Sequence, residues 1–487
     1  MKQNFIFQWS EGQSALNAEM WSLTLIPVAK IIGNNDFQAI FLVENRATTA
    51  FVDKSFVKLA DQYSKIFLEE GFRQKFLAQT SKARKEFESF HEKFSKLDLR
   101  KLSNNELATL LEEYYAHYLS IGVPFNFSQQ EFTEKAKLFL QSQLEKNYEK
   151  REVPEIISAL LSFDKLDWVK REEKELAELA LQCADDSSLE KHSLKHAGLF
   201  YNSYDKPTNL NFLRGRAEKL LTLERKGILE MLAKMEREAQ KNQRKHASVF
   251  EKVKDEKVRE VAILLRELGF DRFELKNYWA GAEYKFLPLF FEIARRTALP
   301  LKELMSVYRL QDIKEALLQG KELTGEEVAR RKKAYLFHYK QGKIIFRSGE
   351  SAQKLAGKLV PNHFTQHASG EVSGNPANPG KARGIARVVK VVGVEELVKD
   401  IEAFKKGEIL ITTMTQPNMV QLAAKASAIL TNEGGVTSHA AVLAREFGIP
   451  CIVGTHDATR AFKTGDLIEV DAFAGKARLI RAAEKQK

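Results

Sequence analysis

The sequence predicts a multidomain chain, mainly α-helical to about residue 360 and then a compact three-layer domain of alternating strands and helices. Two observations carry this division. Residues before about 360 hold all four tryptophans and show apolar stripes at helical spacing. From Gly370 onward lie 12 of the 26 glycines, among short β-branched runs. Hydrophobic residues make up 44% of the 487 and charged residues 29%, enough to build sizeable cores and to exclude a disordered chain.

Three stripes define helices of the first region. Phe56, Leu59/Ala60, Tyr63 and Ile66/Phe67 recur at the 3.6-residue period. Ser103 and Glu106 form a capping box ahead of Leu107, Leu110/Leu111, Tyr114 and Tyr118. Val258, Val261/Ala262, Leu265 and Leu268 run up to Gly269, the residue type that tolerates a left-handed C-terminal cap. Two segments read as β structure instead. Residues 39–52 form a hairpin or two edge strands, and residues 333–346 alternate around a Gln341-Gly342 turn. Residues 361–380, with three prolines and three glycines, are expected to be a linker and the entry to the last domain. In that domain, at 381–482, strands are expected at 385–392, 408–412, 427–431, 451–453, 467–470 and 477–480. Helices are expected at 394–404, 418–426 and 438–447.

Composition limits the function classes. The 76 Lys+Arg against 65 Asp+Glu give a net charge of +11. The excess is scattered through mixed runs such as KVKDEKVRE, which reads as solvated helix faces and argues against nucleic acid as the partner. No apolar run approaches the ~18 residues of a membrane span. The start, MKQNFIFQWSEGQS, lacks a signal-peptide pattern. Two distant cysteines, Cys183 and Cys451, argue for a reducing cytoplasm and against a disulfide framework or a structural zinc site, and no metal ligands are assigned.

One segment carries chemistry: Thr431-Asn432-Glu433-Gly434-Gly435-Val436-Thr437-Ser438-His439. A buried strand ends at Thr431, a glycine pair follows, and two hydroxyl residues lead into a helix whose first turn holds a histidine. Glycines let the backbone approach a ligand closely. The helix start adds unpaired N–H donors and a positive dipole end, which favour a phosphoryl group. Ser438 suits the N-cap, and Thr437 and Ser438 can donate to phosphoryl oxygens. The same dipole disfavours imidazolium, so His439 is expected to be neutral and nucleophilic, as a covalent phosphohistidine requires.

The stretch TNEGGVTSHAAVLAREFGIPCIVG resembles the phosphohistidine signature of the phosphoenolpyruvate-utilising enzymes, which include phosphoenolpyruvate synthase, pyruvate phosphate dikinase and rifampin phosphotransferase. The resemblance extends through NPGKARGIARVV (378–389), ILITTMTQPNMVQLAAKASAI (409–429) and residues 455–480. Asn432 stands where an acidic residue is frequent, and Gln421 where a proline is frequent. The resemblance implies a swivelling β/β/α phosphohistidine domain with His439 as the carrier and Thr431, Gly434, Gly435, Thr437 and Ser438 around it. Thr437 falls where the dikinases carry a regulatory threonine. The helical region resembles the middle domain of rifampin phosphotransferase only loosely. Its Tyr278, Trp279, Tyr284, Arg295 and Arg296 are candidates for an acceptor pocket, against a plainer reading as core and solvated face.

A full enzyme of this type needs donor chemistry as well. A (β/α)₈ barrel takes about 250 residues, whereas 48 follow His439. No GxGxxG or GxxxxGK[ST] motif is present. The expectation is therefore a cytoplasmic phosphotransferase component. Its donor, ATP or phosphoenolpyruvate with Mg²⁺, would sit on a separate ATP-grasp or phosphoenolpyruvate-binding protein, and residues 1–360 would bind a small-molecule acceptor or dock that subunit. The alternative is a binding or regulatory module that keeps the fold without catalysis.

Overall fold

A computed structural model describes residues 5–12, 14–44, 47–163, 165–183, 185–361, 370–390, 393–416, 419–434 and 438–483. Both β segments expected in the first region form hairpins, and they join one antiparallel sheet. Its strands are β1 (Phe5–Gly12), β2 (Gln38–Glu44), β3 (Ala47–Asp53), β4 (Ala334–Lys340) and β5 (Lys343–Ser348), in the order β1-β3-β2-β4-β5. Residues 39–52 are thus interior strands and not edges. The β4–β5 turn places Gln341 and Gly342 at φ 51° and 73°, the double positive φ that matches hairpin twist. Side chains alternate between two cores. Phe41, Val43, Phe337 and Tyr339 face the helices, while Ile40, Leu42 and Leu336 face Ala352, Ala356 and Val360.

The capping box at Ser103 is present, with Glu106 N–H donating to Ser103 Oγ at 3.2 Å and Ser103 N–H to Glu106 Oε2 at 2.7 Å. Its apolar stripe is buried throughout. The first stripe splits into the helix Lys54–Tyr63 and a 3₁₀ turn at Ile66–Leu68. The third corrects the expectation at Gly269. The helix there runs unbroken from Glu256 to Lys285. Glycine in a helix interior costs about 1 kcal/mol. That cost is outweighed by burial on both sides of it, from Val258 to Leu268 and from Phe270 through Leu275 and Trp279 to Tyr284.

The last domain has eight strands: β6 (Glu371–Ser373), β7 (Asn375–Asn378), β8 (Lys381–Val389), β9 (Ile409–Thr412), β10 (Ala428–Thr431), β11 (Cys451–Val453), β12 (Leu467–Asp471) and β13 (Lys476–Arg481). Strands β8 to β11 are parallel neighbours, and β12, β13 and β6 continue antiparallel from the first half of β8. The expected strand at 385–392 begins earlier, at Lys381, and residues 391–392 lie outside the described residues. The expected linker is corrected too. Residues 362–369 lie outside the described residues, but β6 and β7 belong to the sheet. Strand β7 pairs with β11, and Asn378 Nδ2 donates to Ile449 O at 2.8 Å, tying this segment to the end of the helix His439–Phe447.

Period-two alternation sorts the parallel strands into three layers. Leu410, Ile429 and Cys451 pack under the helices with Leu397, Leu422 and Leu443. Ile409, Ile411, Leu430 and Ile452 face the antiparallel part with Ile468 and Val470. The domain rests on the helical region through the helix Val394–Ala403, whose Val394, Val398 and Ile401 pack with Trp168, Leu176 and Leu213. Among the described residues, no helix is long and apolar enough to cross a membrane. Ile429 is fully buried in the strand that delivers the loop after Thr431. Ile429→Ala should therefore destabilise this domain by about 2–5 kcal/mol in urea unfolding, as core truncations do. A change within 0.5 kcal/mol would contradict the packing described.

Candidate functional site

The parallel strands β9, β10 and β11 end together, and their carboxyl ends carry the loops that hold His439. Three sets of bonds fix the loop after β10. Thr431 Oγ1 donates to Glu433 O at 2.6 Å, Asn432 N–H donates to Thr412 O at 3.1 Å, and Glu433 N–H donates to Thr413 O at 2.9 Å. A second loop braces it from the far side. Thr455 donates from both N–H and Oγ1 to Thr431 O, each at 3.0 Å, and His456 N–H donates to Asn432 O at 2.9 Å. The Asn432 side chain is buried and spent on Thr459, donating to its Oγ1 at 2.6 Å and accepting from its N–H at 3.0 Å. The amide so supplies a donor that a carboxylate could not.

Gly434 has φ 101°, and a Cβ there would lie 2.9 Å from Ser438 Cβ. No other residue type fits without moving the loop. Ser438 is the N-cap, in extended conformation, accepting from Ala441 N–H at 3.5 Å. His439 is the first residue of the helix, which ends at Gly448 with φ 65°. Gly435 and Thr437, two of the expected site residues, lie outside the described residues. Thr431, Gly434, Ser438 and His439 do converge. Of the two roles open to Thr431, phosphate binding or support, its buried hydroxyl is engaged in holding the loop's shape.

His439 is half-buried at the boundary between the two regions. Its Nδ1 shares a hydrogen bond with Thr415 Oγ1 at 3.0 Å. Burial first, and then the positive charge of Lys276, push the imidazole down to about 4, with a hydrogen bond to the Thr415 backbone opposing. Lys276 comes from the helix Glu256–Lys285, and its Nζ lies 3.6 Å from Met414 Sδ, in the loop after β9. Sequence reasoning did not point to Thr415, Lys276 or the bracing threonines. The signal for Thr415 was its place just beyond a buried strand parallel to β10. Nothing local marks Lys276.

Of the aromatic and basic residues considered for an acceptor pocket, Trp279 and Tyr284 belong to the core, Tyr278 and Arg296 are half-buried and Arg295 is exposed. Trp279 is buried against Trp21 with centroids 5.2 Å apart, and Tyr284 OH lies 3.0 Å from Ser193 Oγ. Tyr278 packs edge-on against Phe87, and Arg295 and Arg296 both clasp Glu292.

The family model described as PEP-utilising enzyme, mobile domain, matches residues 404–475, the span that holds the whole constellation around His439. Residues 404–475 are similar to the mobile domain of the phosphoenolpyruvate-utilising enzymes. The chain is 48% identical over 104 residues to a probable phosphoenolpyruvate synthase of Staphylothermus marinus, covering 21% of this chain and 12% of the relative. A phosphoenolpyruvate synthase of Aeropyrum pernix is 47% identical over 143 residues, 28% of this chain and 17% of that one. An uncharacterized phosphotransferase of Bacillus subtilis, YvkC, is 31% identical over 131 residues, 27% and 15% respectively. This chain thus matches only a small part of the length of these relatives. The helical region lies outside the family match.

Two expectations follow for the mobile domain. Gly434→Ala should cost on the order of 1–3 kcal/mol through backbone strain and the clash with Ser438. Urea unfolding and the chemical shifts of Thr431 and Ser438 report it, and a variant with native stability and shifts contradicts the geometry. The second concerns docking. An exposed imidazole titrates near 6.5, whereas docked His439 titrates near 4. The docked form therefore takes up the proton less readily. Docking should be constant above about pH 6.5 and weaken as pH falls from there toward 4. Hydrogen exchange in Val394–Ala403 measures this, and protection that rises on acidification would contradict it.

Proposed function

We propose that this chain is the phosphohistidine-carrying component of a phosphotransferase, with Nε2 of His439 as the atom that bears the phosphoryl group. The observation that carries the reading is the 3.0 Å contact between Thr415 Oγ1 and Nδ1. With the proton on Nδ1 shared toward Thr415, the lone pair is on Nε2. Burial keeps the ring neutral at pH 7, so no proton has to leave before attack.

The step balances simply. The Nε2 lone pair forms the N–P bond as the bond from phosphorus to the donor's oxygen breaks, and the electron pair leaves with the donor. Nδ1 keeps its proton and donates it in a hydrogen bond to Thr415 Oγ1 in the phosphoimidazolium. In the second half-reaction an acceptor oxygen attacks phosphorus, and the P–N electron pair returns to Nε2. The dipole of the helix His439–Phe447 and the ammonium of Lys276 favour the charge of the phosphoryl group. The names of the relatives support phosphotransferase chemistry.

Donor and acceptor sites cannot overlap, so the carrier swings as a rigid unit that begins with β6, and the contact at Lys276 is one end of its travel. The donor, ATP or phosphoenolpyruvate with Mg²⁺, binds to a partner protein. Labelled phosphate on His439 should vanish in acid, survive alkali and be absent in His439→Ala. Label persisting in that variant would sink the assignment. Incubated alone with labelled ATP and Mg²⁺, the chain should stay unlabelled. Stoichiometric labelling of His439 in that arm overturns the separate donor and leaves the carrier role standing. Bridging Cys replacements of Lys276 and Met414 with a short bismaleimide should stop transfer, and undiminished transfer would contradict the swing.

A further inference from the structure

Behind the surface on which the mobile domain rests lies a second histidine cluster that the phosphohistidine reading does not use. His192 sits in the last turn of the helix Asp186–Lys195, and His196 follows four residues later as the residue that ends it. That spacing puts both rings on one face, with centroids 4.7 Å apart. Glu175 reaches them from the neighbouring helix Trp168–Leu181, its Oε2 lying 2.8 Å from His196 Nε2. One ligand atom from each of the three residues lies within 4.8 Å of the others. The histidines are 5% and 1% exposed, so this is an interior cluster and not a surface coincidence.

Protein groups alone do not satisfy these rings. A carboxylate only accepts, so Glu175 fixes the proton of His196 on Nε2. His196 Nδ1 is buried with no hydrogen-bond partner, and an ion taking the place of the Nε2 proton would be bound by the ring and by Glu175 at once. His192 is held from behind in the manner of a metal ligand. Its Nε2 lies 3.1 Å from Glu172 Oε1, and Glu172 is fixed by Arg216 through bonds of 2.6 and 2.8 Å.

We propose that Glu175, His192 and His196 bind one borderline transition-metal ion, Zn²⁺ or its spectroscopic surrogate Co²⁺, as a structural clasp between the helix Trp168–Leu181 and the end of Asp186–Lys195. Two imidazole nitrogens and a carboxylate oxygen are the donor set such ions prefer. Zn–N distances near 2.0–2.1 Å place tetrahedral ligand atoms roughly 3.3 Å apart, so side-chain rotations close the cluster from its present spacing. Sequence reading set zinc aside because it counted cysteines, and this site contains none.

The clasp bears on the docking surface. Asn277 Nδ2 donates to Lys195 O at 3.2 Å, and Gly198 N–H donates to Asn277 Oδ1 at 2.9 Å. Lys276, which faces Met414, is the residue before Asn277. Residues 195–198 thus hold the stretch of helix that meets the mobile domain, and the ion would hold residues 195–198.

The test uses the full chain stripped with EDTA and loaded with Co²⁺ alone, then with Zn²⁺. One Co²⁺ per chain should bind, with the visible absorption of a four- or five-coordinate site, and an equimolar amount of Zn²⁺ should displace it. Zinc-edge X-ray absorption should then show two imidazoles. The double variant H192Q/H196Q should lose the ion. Glu172→Gln, behind His192, should weaken binding by about 10–100-fold. Failure to retain an ion, retention unchanged in the double variant, or a coordination shell without imidazole overturns the proposal. Where the variants do not fold, the absorption spectrum of the native chain decides alone.

Discussion

The phosphohistidine reading requires a ring that is neutral, fixed in orientation and open at one nitrogen, and one contact bears on its orientation. Thr415 engages Nδ1 of His439. In the proposed reading Nδ1 donates to Thr415 Oγ1, which holds the orientation of the ring and leaves the lone pair on Nε2. The surrounding architecture serves that contact. Thr415 follows β9 and His439 follows β10, and parallel pairing of these strands in register brings their carboxyl ends together. The loop between β10 and the helix is then clamped on both sides, by Thr412 and Thr413 and by Thr455 and Thr459. Most of these hydrogen bonds hold backbone groups, which is why threonines and one asparagine suffice to build the frame.

The second constraint is burial. A fully exposed imidazole would be partly protonated near neutral pH, and a fully buried one could not reach a donor. His439 is half-buried against the helix Glu256–Lys285, whose Lys276 adds a positive charge. Low dielectric and a neighbouring ammonium act in the same direction, disfavouring imidazolium. The same ammonium favours an arriving phosphoryl group, so one charge assists both the free and the loaded carrier.

Local features of the site could be read from the chain because they are local in their physics. The N-cap at Ser438, the helix ending at Gly448 and the short buried strands each follow from a few consecutive residues. The resemblance in residues 378–480 added the role of His439. Features that depend on tertiary packing could not be read. Helix continuation through Gly269 rests on apolar residues far along both sides of it. The pairing of β2 with β4 joins segments about 300 residues apart, as the His338–Gln38 contact across it records. Lys276 reaches the site from the other region, and the Glu175, His192 and His196 cluster is assembled from two helices. The linker was misjudged at its C-terminal end because prolines and asparagines tolerated in edge strands look like loop residues in sequence.

The account stands most directly on which atom bears phosphorus. Protein labelled with ¹⁵N in histidine, phosphorylated by its donor and studied by ³¹P–¹⁵N correlation in alkaline solution, reports this in one spectrum. The structure predicts phosphorus coupled to Nε2 of His439 alone, with Nδ1 uncoupled. Coupling to Nδ1, or phosphorus on a hydroxyl such as that of Ser438, would contradict the role given to Thr415.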